Sequence, residues 1–244
     1  MKKLYNLLKK KNKGIINYIM LILFLPFSIL LFCFIKLLKP FFLFRWHMLM
    51  SSRIGHFATN MELYLCEKDF KINTPKKKYL DVFYNAPGPV CNTQLDKMWR
   101  RVIIVMPWHV MKVFDYINKK IFNSKNHEIG NNTSGSKDVH GLLDKTIPHL
   151  YFTTQEEDRG IRLLNEMGIR KAQNFVCLQV RDSSYLENGK FNEGDFSYHS
   201  YRDCDIANFY SVCDYLTSKD IFVVRMGKNV KKKMEINNPK VIDY

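Results

Sequence analysis

Beyond residue 43 the apolar positions follow two alternating periods. Runs of strand length are separated by stretches with helical spacing, which predicts a βα alternation and mainly parallel sheets. Residues 44–50 read as a strand, 51–56 as a polar loop, and 57–67 as a helix with Phe57, Ala58, Met61 and Leu65 on one side. A second strand is expected over 79–84, closed by the Asn-Ala-Pro-Gly-Pro turn at 85–89. Asn92 is placed to cap a helix running to about Arg101, a buried strand follows over 102–106, and a helix over 108–121. Residues 122–140 lack periodicity and are rich in Asn, Ser and Gly, which predicts a mobile loop.

The pattern resumes at 154–157, where Thr-Gln-Glu-Glu has capping-box form. Ile161, Leu164 and Met167 share one face, and Gly168 ends the helix. Strands follow over 174–180 and 221–225. Between them a helix from about Asp203 carries Ile206, Phe209, Tyr210, Cys213 and Leu216 on one face, with Asp203 or Asp205 as its cap. Residues 241–244 open a further strand.

The N-terminal part departs from this alternation. From Gly14 to Ile35 there are 22 consecutive uncharged residues, almost all apolar. A helix of that length spans about 33 Å, enough for a bilayer core of about 30 Å. No small-residue cleavage site follows, so the run reads as a retained anchor rather than a secretory signal. Both flanks are basic, and Pro26 sits within the run, so a single span and a shallow hairpin both remain open.

Charge sharpens the division. The chain of 244 residues carries a net charge of +15, yet residues 1–53 hold ten Lys/Arg and no Asp/Glu. The remaining 191 residues are only +5, which argues against a nucleic-acid binder. The expected organisation is a basic segment 1–13, a membrane anchor 14–43, a first domain 44–170 and a second domain 171–244. The six cysteines form no C-x-x-C pair, and several fall at apolar positions, where they read as small buried hydrophobes.

Two loops follow predicted strands, where open α/β sheets bind ligands. In the first, Arg53 can hold a phosphate, Gly55 permits close backbone approach, and His56 is a candidate general base. In the second, Arg181, Asp182 and Ser183 follow a buried strand, and Arg181 can neutralise a diphosphate. His199 and Arg202 lie in a third polar cluster that can reach the same crevice. A metal site at His199, Asp203 and Asp205 has no standard spacing, and no metal or other cofactor is expected. Walker A, dinucleotide, nucleophile-elbow and zincin motifs are absent.

The stretches 51–69 (SSRIGHFATNMELYLCEKD), 175–186 (FVCLQVRDSSYL), 196–206 (FSYHSYRDCDI) and 223–230 (VVRMGKNV) resemble a family of bacterial glycosyltransferases related to the O-fucosyltransferase-like GT-B enzymes. The resemblance implies a Rossmann-like N-terminal domain on the acceptor side and a Rossmann-like donor-side domain, with a nucleotide-sugar between them. It gives Arg181 the donor diphosphate and leaves Gln179 where that superfamily carries His. Family members continue past the equivalent of residue 244, so the second domain is expected to be incomplete. The function implied is transfer of a sugar from a nucleotide-sugar to a cell-envelope glycan or lipid-linked acceptor. The setting would be the inner membrane, with the body on its cytoplasmic face. The alternative is a non-catalytic membrane-bound partner or scaffold.

Overall fold

The computed structural model describes residues 25–122, 125–129, 137–184, 197–227 and 229–243. The basic segment 1–13, residues 14–24 of the expected anchor and much of 122–140 lie outside the described residues. The chain divides into two units, one ending at Tyr151 and one starting at Phe152. The boundary therefore precedes the capping-box helix instead of following it at 170. That helix joins the second unit because Leu164, with Ile169 just beyond it, packs on Phe222 and Val224.

In the first unit the described elements are α1 (25–38), β1 (Leu43–Leu49), α2 (Ile54–Asp69), β2 (Tyr79–Asn85), α3 (Thr93–Val102), β3 (Ile104–Val105) and α4 (Trp108–Ile117). The strands form one parallel sheet in the order β1-β2-β3. Alternate residues of each strand face opposite layers, as strand geometry requires. Trp46, Val82 and Tyr84 pack with Phe32 and Ile35 of α1 and with Met111, Phe114 and Ile117 of α4 and its end. Leu49 and Phe83 pack with Phe57, Met61 and Leu65 of α2 and Trp99 of α3. The sheet is thus covered on both faces.

Two expectations are corrected here. Residues 25–38, assigned to the anchor, form a helix that closes one face of the sheet. Phe32 is fully buried, and burying such a side chain contributes about 1.5–3 kcal/mol. Among the described residues no helix is long and apolar enough to cross a membrane. Second, Lys125–His127 and Ile129, inside the expected loop, are structural. His127 and Ile129 are buried, and Glu128 bridges to Trp46 of β1.

The strand expected over 102–106 shrinks to two residues because α3 continues to Val102. The expected helix over 108–121 ends at Ile117 and passes into a π turn, Asn118–Phe122. Asn92 does cap α3, its side chain accepting from Leu95 N at 2.9 Å.

The second unit holds α5 (Thr154–Glu166), β4 (Phe175–Gln179), α6 (Tyr210–Ser218), β5 (Phe222–Met226) and β6 (Val241–Asp243), with a parallel sheet ordered β4-β5-β6. The capping box is Thr153 with Glu156, one residue earlier than expected, and Gly168 takes the positive φ that ends the helix. Asp205 caps a 3-10 turn, Ile206–Phe209, that precedes α6. The fold is therefore mixed α/β with two small parallel sheets.

Candidate functional site

The second unit carries a cavity of about 330 Å³ beyond the carboxyl ends of β4 and β5. Asp182 and Ser183, candidates that follow β4, line it together with Asp203, Asp205, Arg225 and Lys232, whereas Arg181 does not. Asp182 and Asp205 are hydrogen-bonded, whereas Asp203 Oδ1 is buried with no hydrogen-bond partner among the described residues. Asp182 accepts from Ser184 N at 2.9 Å and from Lys231 N at 2.8 Å. Asp205 accepts from Ala207 N and from Lys232 Nζ at 2.8 Å, and these donors hold its carboxyl below the usual range. Asp203 lies 3.4 Å from Arg181 Nε, a half-exposed pair worth at most about 1 kcal/mol.

Arg225 is the residue that the sequence reading missed. It ends a run, Phe-Val-Val-Arg, that reads as pure strand core. Parallel pairing sets it beside Asp243 of β6, 3.4 Å away, and its guanidinium also donates to Lys232 O. The residue is buried, and its Nε has no hydrogen-bond partner among the described residues. A charged residue closing an otherwise apolar strand was the available signal.

His199 and Arg202 stand in a separate 3-10 turn, Ser197–Arg202, and neither lines this cavity. Arg202 stacks on the neighbouring Tyr201 ring and donates from Nε to its hydroxyl.

The other candidate group lies in the first unit. Helix α2 begins at Ile54, so Gly55 and His56 occupy its first turn instead of a loop. Arg53 is its N-cap in extended conformation, with no side-chain cap and no acidic residue in the first turn. A Cβ at Gly55 would meet nothing within 4 Å, so no protein atom requires glycine there. Trp99 Nε1 donates to Phe57 O at 3.0 Å and fixes this turn from α3. His56 lines a cavity of about 20 Å³, room for one water, with His47, Asn60 and Tyr64. Burial pushes the His47 imidazole below its ordinary value, which keeps it neutral at pH 7.

One cluster has the composition of a metal site. Ligand atoms of Glu62, Cys66 and His149 lie within 4.8 Å of one another. Glu62 and Cys66 are one turn apart on α2. Existing contacts account for all three residues. His149 Nδ1 is 2.9 Å from Glu62 and Nε2 is 3.0 Å from Asp69, and Cys66 Sγ contacts Thr146 Oγ1. Burial raises the Cys66 thiol, which disfavours the thiolate a metal would need. Cys66 and Cys213 are the buried hydrophobes expected, whereas Cys33, Cys177 and Cys204 are exposed.

Comparison of the chain with protein-family models, curated proteins and solved structures gave no match.

Proposed function

We propose that this chain is a membrane-associated glycosyltransferase of GT-B type, and that the second-unit cavity receives the diphosphate of a nucleotide-sugar. The supporting observation is the basic lining that Arg225, Lys231 and Lys232 give this cavity. A diphosphate there would gain charge-assisted hydrogen bonds from the lysines, and the buried Arg225 would add its positive charge. Arg181 lies two residues beyond β4 and outside the cavity lining, and exchanging its partner Asp203, which does line it, for the diphosphate would bring a second guanidinium to the leaving group. His56 is the candidate base on the acceptor side, and Arg53 and Gly55 the candidate anion contacts of the first unit.

A second reading, a non-catalytic membrane-bound partner, is favoured by the three carboxylates that rim the same cavity. They oppose an anion unless their present partners keep them neutralised.

Titration of the full chain with nucleoside diphosphates and nucleotide-sugars separates the two. The transferase reading expects saturable binding, weakened tenfold or more by Arg181→Ala and by Arg225→Met. Absence of binding by the unaltered chain would favour the partner reading.

A further inference from the structure

Helix α1 is apolar on two opposite sides, and the described residues of the first unit cover only one of them. Ser28, Phe32 and Ile35 face inward, where the Phe32 ring meets Trp46 at 6.1 Å and Phe114 at 6.2 Å. Phe27, Leu30, Phe34 and Leu37 recur at three- and four-residue intervals on the other side, a single stripe of a helix. They are 62%, 72%, 55% and 76% exposed, and Phe41 in the following turn is 79% exposed. A helix that is apolar all round is normally buried all round, and a contiguous exposed apolar stripe marks an interaction surface.

Two features identify the occupant as lipid. The chain enters this helix directly from residues 14–24, which are uncharged and mostly apolar, preceded by six lysines in 2–13. The charged residues on α1 and just after it in the chain are also of one sign. Lys36 and Lys39 lie on and just after α1, Lys77 Nζ donates to Lys39 O at 2.7 Å, and Lys76 and Lys78 flank it. The first acidic residue of the chain is Glu62. An apolar stripe bordered by lysines matches the headgroup region of an anionic bilayer.

We infer that α1 is an interfacial helix shared between protein and lipid. Its inner face closes the β1-β2-β3 sheet, and its outer face lies in the headgroup region, parallel to the membrane plane. The helix then does not cross the bilayer, because a crossing would withdraw Phe32 and Ile35 from the core. The first unit would be held flat against the surface rather than tethered to it by a flexible stem. The inference is independent of sugar transfer, and its test reads no turnover.

The test places tryptophan at Leu30 or Leu37 of the full chain, reconstituted with phosphatidylcholine–phosphatidylglycerol vesicles. Lipids brominated at shallow or deep acyl positions quench by depth, and the unaltered chain supplies the background of Trp46, Trp99 and Trp108. The two positions are about 10 Å apart along the helix. An interfacial helix gives equal loss of emission at both, greatest with the shallow label. Lys97→Trp on α3, across the sheet, should lose none and sets the level for a face turned away from lipid. Unequal depths at 30 and 37 would mean that the helix crosses, and would overturn the inference. Absence of quenching at both would also overturn it, since the stripe would then be covered by this chain or by a second copy.

Discussion

Arg45 and Asp81 form a buried, doubly hydrogen-bonded ion pair in the first unit. Arg45 donates from Nε at 2.7 Å and from Nη2 at 2.6 Å to the two oxygens of Asp81, and from Nη1 to Asn73 O at 3.0 Å. Tyr64 adds its hydroxyl to the same carboxylate, and burial together with that bond raises the phenol far above its ordinary value. The guanidinium also lies over the Tyr79 ring, at 4.9 Å. Both ionic side chains are nearly inaccessible. Removing one partner strands the other charge in a dry site, so Asp81→Asn should cost about 3–5 kcal/mol in urea unfolding, while Arg45→Met with Asp81→Leu should cost much less. Equal losses in the single and double variants would show that the pair is not the determinant. The partnership was not legible in the sequence. Each residue alone reads as a polar interruption of a strand, and only the β1–β2 register, Arg45 opposite Asp81, makes them partners. By contrast Asn92 was legible, because a cap is a local event. Thr153 and Thr154 each have Glu three residues on, so sequence leaves two registers for that capping box.

The segment Lys125–Ile129 is a short element held by one histidine. The His127 ring stacks on Trp46 at 5.3 Å, and its Nδ1 donates to Phe44 O at 2.7 Å. Burial lowers its basicity, the Phe44 carbonyl partly offsets this, and Lys36, Lys39 and Lys77 add to the lowering. The folded form therefore binds a proton less readily than the unfolded chain, whose histidine titrates near 6.5. Stability is complete above about pH 6.5, falls as pH drops from there to the folded value, and then levels. Thermal melts between pH 7.5 and 5 should show that decline. His127→Asn should melt lower at pH 7.5 and lose less on acidification, His47 supplying the remaining slope. An unchanged slope would assign the whole effect to His47. A polar, Asn-rich stretch with only two buried residues among those described, His127 and Ile129, reads as loop, since its composition is that of a loop. The same limit applies to α1: apolarity was legible, but not whether protein or lipid covers each face.

The two units differ in how well their sheets are covered, and this decides where the molecule opens first. The β1-β2-β3 sheet has a helical layer on each face, with Trp46, Trp99 and Phe83 nearly inaccessible. The second core is built on Ile169, Phe222 and Val224, and β4 at its edge leaves Phe175 41% and Val176 39% exposed. Opening free energy follows buried apolar contact, so amides of β4 and β5 should exchange with deuterium well before those of β1 and β2. The proposed ligand belongs to the weaker unit. A nucleoside diphosphate that binds the folded form alone stabilises it by mass action, about 2.7 kcal/mol at a hundred times its dissociation constant. Exchange should then slow in β4–β6 and leave β1–β3 unaffected. Arg225→Met should abolish that selective slowing. Slowing of both sheets together would mean that the units open as one body, and slowing of β1–β3 alone would move the diphosphate to the N-terminus of α2.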